Sequence, residues 1–152
     1  MNILSIPQKV NSNVVRLVGG QVFLLSIVYI LLRQAVIPAF LLLDFMIRAA
    51  GRPRFSILAQ VAVLLAKIFG LKEKPIFFSP KRFAAGIGVV LTASTLIAFM
   101  AGAVSLSLGI ISILGIFSFL EGVFGFCAGC KIYGFLMMKN IIPDRFCEVC
   151  AH

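Results

Sequence analysis

The chain has 152 residues, 61% of them hydrophobic and 12% charged, with a formal net charge of +9 from fourteen Lys and Arg against five Asp and Glu. A soluble domain is usually ~45–50% apolar and ~25% charged, so the composition excludes a disordered chain and a typical soluble enzyme. The basic residues punctuate long apolar runs, which points to loops at a membrane surface and away from a nucleic-acid partner.

The pattern predicts an all-α integral membrane protein: one domain over 1–152, a bundle of about four transmembrane helices plus an amphipathic interfacial helix. The start, MNILSIPQKVNSN, is mixed and reads as interfacial. The apolar run Leu17–Leu32 is longer than a ~7–15-residue signal core and no A-x-A site follows it, so it reads as an uncleaved first span over about 14–32. Arg16 and Gln21 interrupt it. After Arg33-Gln34 the second apolar segment, 35–50, carries Pro38 in its first turn, where a missing N–H costs little. It is shorter than the ~20 residues a full span prefers, so its ends extend into the loops or the membrane thins around it.

GRPRF at 51–55 breaks the chain. Over 56–70, Ser56, Gln60, Val63, Lys67, Gly70 and Lys74 recur at three and four, and Ile57, Leu58, Val61, Leu64, Leu65 and Ile68 take the other side. Such a helix lies in the interface and does not cross. KEKPIFFSPKRF reads as a loop, with Ser79 an N-cap and Pro80 the first helical residue. The 44 residues Phe83–Phe126 hold one charge, Glu121. They suit two spans, about 81–102 and 107–127, the second continuing as a helix through Lys131 to Met138. The tail, 139–152, is polar enough to leave the bilayer.

With four spans, thirteen of the fourteen basic residues fall on one side and Arg33 alone on the other. That asymmetry predicts a multi-pass protein of an inner or plasma membrane with both termini cytoplasmic. If 56–70 also crossed, Lys72, Lys74, Lys81 and Arg82 would lie outside, which argues against a fifth span.

The four cysteines form two C-x-x-C pairs, Cys127/Cys130 and Cys147/Cys150, sixteen residues apart. Their cytoplasmic placement keeps them in a reducing compartment. In one reading they are redox dithiols that pass electrons or a sulfane sulfur between them. Mid-helix Cβ atoms at i, i+3 are ~5–6 Å apart and a disulfide needs ~3.5–4.5 Å, so the first pair would need local distortion. In the other reading the four thiolates bind zinc, since the spacing matches a zinc ribbon and His152 could replace one thiolate. The apolar loop between the pairs lacks the Gly-rich knuckles of a ribbon.

Ionisable groups inside a membrane need partners. Asp44 and Arg48 stand at i, i+4 in the favourable order for a helix ion pair. Asp44, Arg48 and Glu121 are expected to form a structural polar network, with an arginine of the first or second helix meeting Glu121. On a continuous helix Cys127 and Cys130 would face away from Glu121. Gly115, Ser118, Gly122, Gly125 and Gly129 make a small-residue stripe for close helix packing, inside one bundle or, alternatively, in a homo-oligomer.

The runs Asp44-Phe-Met-Ile-Arg48, Ser79-Pro-Lys-Arg-Phe-Ala-Ala-Gly86 and Leu120-Glu-Gly-Val-Phe-Gly-Phe-Cys-Ala-Gly-Cys-Lys-Ile-Tyr133 resemble bacterial membrane proteins grouped as domain of unknown function 4395. The resemblance covers nearly the whole chain. It implies an integral membrane protein with no assigned activity, and a thioredoxin-like or rhodanese-like soluble partner. A looser similarity to disulfide-forming membrane oxidases covers only the combination of four helices with two cysteine pairs. Those enzymes work on the oxidising side with quinone, and the cysteines here fall on the opposite face. The expected function is a cytoplasm-facing thiol protein for redox or sulfur transfer. A membrane scaffold whose four cysteines hold zinc, or a small-solute carrier using Glu121, are the alternatives.

Overall fold

The computed structural model describes residues 9–73, 75–77, 79–126 and 128–139. In chain order they form β1 (Lys9–Asn11), α1 (Ser12–Leu32), α2 (Val36–Ala49), a 3-10 turn (Pro53–Phe55), α3 (Ile57–Ile68), β2 (Pro75–Phe77), α4 (Ser79–Met100), α5 (Val104–Phe124) and α6 (Ala128–Met138).

Local chemistry sets the helix ends. The Asn11 side chain accepts from Asn13 N–H to start α1. Arg33 closes that helix in the left-handed region at φ 52°, donating its N–H to Tyr29 O. The Ser56 hydroxyl accepts from Ala59 N–H at 3.2 Å to start α3. The α4–α5 turn passes through Gly102 at φ 78°, a conformation that costs glycine little.

α1, α5 and the Phe83–Met100 part of α4 are long and apolar enough to cross a membrane. The 21 residues of α1 give a length of ~31 Å, against a hydrocarbon core of ~30 Å. α2, with 14 residues, reaches only ~21 Å. α1 packs chiefly on α5, α2 on α4, and α4 on α5. The core between them holds Val18, Val22, Tyr29, Leu41, Phe45, Ile111 and Leu114. Buried hydroxyls are satisfied within the bundle. Ser26 donates to Val22 O and Thr92 to Gly88 O, and Tyr29 is hydrogen-bonded to Ser107. The outward faces are apolar: Leu24, Leu31, Val90, Ile97, Met100, Leu106 and Ile116 are all exposed. Only 28% of the apolar windows of α4 and α5 is buried within the chain. A surface of this kind suits hydrocarbon and not water.

α3 has three faces. Leu58, Ala62 and Ala66 are buried against the bundle, while Ile57, Val61, Leu64 and Ile68 are exposed. Gln60 and Lys67 lie on the remaining arc. The sequence pattern anticipated the polar stripe, but it merged the other two faces into one.

Four expectations change. β1 and β2 pair antiparallel, with Val10 opposite Ile76, where a loop was expected before α4. The ribbon ties the start of α1 to the approach to α4. The last long helix stops at Phe124 and does not run on to Met138. Gly125 turns left-handed at φ 67°, and α6 begins anew at Ala128. The small-residue stripe is therefore split, since Gly125 is the turn and Gly129 belongs to α6. The continuous-helix geometry relating Glu121 to Cys127 and Cys130 falls with it.

Candidate functional site at the charged end of the bundle

Four polar arrangements and one packing contact gather where α1 begins, α2 ends, α4 begins and α5 ends. The first is the C-terminus of α5. A helix leaves its last four carbonyls without intrahelical partners. Here Gly125 N–H donates to Glu121 O and Phe126 N–H to Leu120 O, which closes the last turn. Arg16 then donates from Nε to Gly122 O at 3.2 Å and from Nη2 to Val123 O at 2.6 Å. A guanidinium at this position also complements the negative end of the helix dipole.

Arg16 can reach these carbonyls because α1 and α5 nearly touch. A Cβ on Gly122 would stand 3.0 Å from Gly20 N, and one on Gly19 would stand 3.0 Å from Ser118 O. Gly115 likewise faces Ser26. Within the described residues, then, Gly115, Ser118 and Gly122 serve packing inside one chain.

The second arrangement is an ion pair. Lys81 Nζ lies 2.7 Å from Glu121 Oε1, with side chains 11% and 19% exposed. The ion pair of Glu121 is thus made by a lysine of α4, where an arginine of α1 or α2 was expected, and Arg16 of α1 is held on the α5 carbonyls instead. Depth arithmetic could have found Lys81. It stands two residues after the start of α4, and Glu121 stands three before the end of the antiparallel α5.

The third is Asp44, which is buried. Its Oδ1 accepts from Ser56 Oγ at 2.6 Å and from Leu58 N–H at 3.3 Å. The carboxylate thus turns to the start of α3, and its spacing to Arg48 does not reveal this. The Arg48 guanidinium carbon lies 5.5 Å from the Phe45 ring centroid. No sequence periodicity pointed to Ser56 as the partner of Asp44.

The fourth ties down the other end of α3: Asn13 Nδ2 donates to Lys72 O at 2.7 Å. Both ends of α3 are therefore held at this end of the bundle, one near Asp44 and one near the start of α1.

The fifth is α6, which packs on α4. A Cβ on Gly129 would stand 2.6 Å from Ala84 Cβ and 2.7 Å from its Cα. A cavity of about 70 Å³ joins these parts, lined in part by Val18, Arg48, Ala84, Glu121 and Gly129. Arg48 and Glu121 thus face one space, while Asp44 serves the α3 connection.

Cys127, Cys147, Cys150 and His152 lie outside the described residues, and Cys130 is described by its backbone, in the first turn of α6. Among the described residues no three of His, Cys, Asp and Glu come together as a metal site. The zinc and thiol expectations rest on those cysteines.

The family model described as a domain of unknown function, number 4395, matches residues 10–138. No curated protein and no solved structure matches the chain.

Proposed function

The chain belongs to that family, and from this premise we propose a four-crossing membrane protein whose cytoplasmic end exchanges thiols with a soluble partner. The observation that carries the reading is the break in α5. Because α6 begins anew at Ala128, Cys130 falls in the first turn of a helix and not in the middle of a continued α5. The positive end of a helix dipole stabilises a thiolate there and lowers thiol pKa. α6 in turn bears on α4 at Gly129 and Ala84, which seats the helix that carries Cys130.

α2 supplies the fourth crossing. It packs along α4, and its 14 residues, lengthened by the flanking turns, cross with local membrane thinning. α3 is the interfacial helix. Its exposed Ile57, Val61, Leu64 and Ile68 dip into the acyl boundary while both of its ends are held at the charged face. The asymmetry of Arg33 against all other basic residues supports cytoplasmic termini.

In the exchange, a dithiol on a thioredoxin-like partner attacks an oxidised Cys147–Cys150 pair and forms a mixed disulfide. The partner's second thiol resolves it, and the partner leaves oxidised. The reduced tail pair then reduces Cys127–Cys130 in the same way. Each exchange moves two electrons and two protons. Transfer of a sulfane sulfur from a rhodanese-like partner would use the same thiolates as acceptors. Thiol counting with elemental analysis on the detergent-purified full chain tests the reading. Mild oxidation is expected to remove free thiols in twos, reversibly, and Cys130→Ser to remove the first pair. About one zinc per chain with four unreactive thiols would establish the scaffold reading instead. Labelling of Cys150 from outside intact cells would overturn the orientation.

A further inference from the structure

A groove of about 600 Å³ runs between α1, α3 and α5, within the ~300–1,000 Å³ typical of ligand clefts. Leu17, Leu24, Leu65 and Phe119 give it an apolar wall, and Arg16 stands in its lining at the charged end. The lining also holds Gln21, whose Nε2 is buried and has no hydrogen-bond partner among the described residues. A buried donor left unmade calls for an explanation.

We propose that this groove binds one anionic diacyl phospholipid, drawn from the bilayer, with its phosphate on Arg16 and an acyl chain along the apolar wall. Three observations fit that occupant together. Arg16 spends Nε and Nη2 on the α5 carbonyls, which fixes the guanidinium plane and leaves Nη1 without a partner among the described residues. Arg16 is also exposed, so a phosphate can reach it as a charge-assisted acceptor. Gln21 lies five residues further along α1, ~7.5 Å deeper into the apolar layer. Turned toward the groove that the residue lines, Gln21 Nε2 would meet an ester carbonyl, one glycerol unit below the phosphate. Lys72 is exposed near the same end, brought there by the Asn13 bond to its carbonyl, and it adds to the positive field. A zwitterionic lipid would gain less from that field. The proposal requires membrane insertion and is independent of the thiol chemistry.

The test is native mass spectrometry of the detergent-purified full chain titrated with phosphatidylglycerol or phosphatidylcholine. One phosphatidylglycerol per chain is expected, held about tenfold more tightly than phosphatidylcholine, with the preference lost in Arg16→Gln. Gly20 lines the groove, and nothing lies within 4 Å of where its Cβ would stand. Gly20→Leu is therefore expected to fold and to abolish retention of both lipids. Gln21→Leu, which leaves the Arg16 clamp intact, is expected to weaken phosphatidylglycerol about fivefold with the headgroup preference kept. Equal retention of the two lipids by the unaltered chain would overturn the proposal. So would phosphatidylglycerol binding unchanged in Gly20→Leu or, should that variant not fold, unchanged in Gln21→Leu.

Discussion

The α1–α5 seam can be tested by adding one methyl group. In Gly122→Ala the new Cβ would stand 3.0 Å from Gly20 N, 3.3 Å from Arg16 O and 3.4 Å from Gly20 Cα. Carbon contacts are comfortable at ~3.5–4.0 Å. All three neighbours are backbone atoms, so no side chain can swing aside. The helices must part by ~0.5 Å, and the reciprocal contact of Gly19 with Ser118 O opens with them. Overpacking of this kind costs ~1–3 kcal/mol, while alanine gains up to ~1 kcal/mol over glycine in helix propensity.

Gly109→Ala separates the two effects. It lies in the same helix, and nothing stands within 4 Å of its Cβ position. The difference between the two variants is then the seam alone, ~1–3 kcal/mol. The chain has no Trp, so unfolding is best followed by far-ultraviolet circular dichroism during titration with a denaturing detergent. If Gly122→Ala proves as stable as Gly109→Ala, the close approach of α1 and α5 is wrong. Arg16→Ala should also be non-additive with Gly122→Ala, because Gly122 O is one of the acceptors Arg16 uses.

Two further perturbations address the charges. Lys81→Met and Glu121→Leu should each destabilise by about 3 kcal/mol, because each removes one half of a mostly buried ion pair at 2.7 Å, whereas the two together should recover most of the loss. A double-mutant cycle in the same unfolding assay reads the coupling, and additive losses would contradict the pair. Asp44→Ala strands the Ser56 hydroxyl and the Leu58 N–H and should cost about 2 kcal/mol. It should also speed proteolysis at 51–55, and an unchanged cleavage rate would show that α3 is held by other means.

What the sequence made legible follows from the kind of signal each feature leaves. α1, α4 and α5 were readable because a span is a matter of length and hydropathy, and Ser12–Leu32 and Val104–Phe124 have both. The polar arc of α3 was readable because Gln60 and Lys67 keep helical spacing. Contacts between distant segments leave no such trace. Ser56 reaches Asp44 only because the 3-10 turn at Pro53–Phe55 folds α3 back. The pairing of Val10 with Ile76 depends on two approaches meeting below the bundle. Gly125 was misread for a more instructive reason. A glycine that packs and a glycine that turns have the same composition and, between Gly122 and Gly129, the same spacing. Only φ tells them apart.

That turn makes the last two turns of α5 a junction with two independent sides. On one side Gly122 and Val123 offer carbonyls to Arg16 and border the groove. On the other, Glu121 holds Lys81 of α4, and α4 carries α6 through Ala84 and Gly129. Gly129→Ala should therefore act on the α6 side alone. Its Cβ would meet Ala84 Cα at 2.7 Å, so α6 must move off α4 at a cost of ~1–3 kcal/mol. The expected result is a changed rate of thiol labelling at Cys130 with phosphatidylglycerol retention unaltered. Gly20→Leu should do the converse, removing the lipid and leaving labelling as it was. If either substitution moves both readouts, the two sides are one cooperative unit. The helix break at Gly125 would then be a conformational link between lipid and thiol rather than a partition.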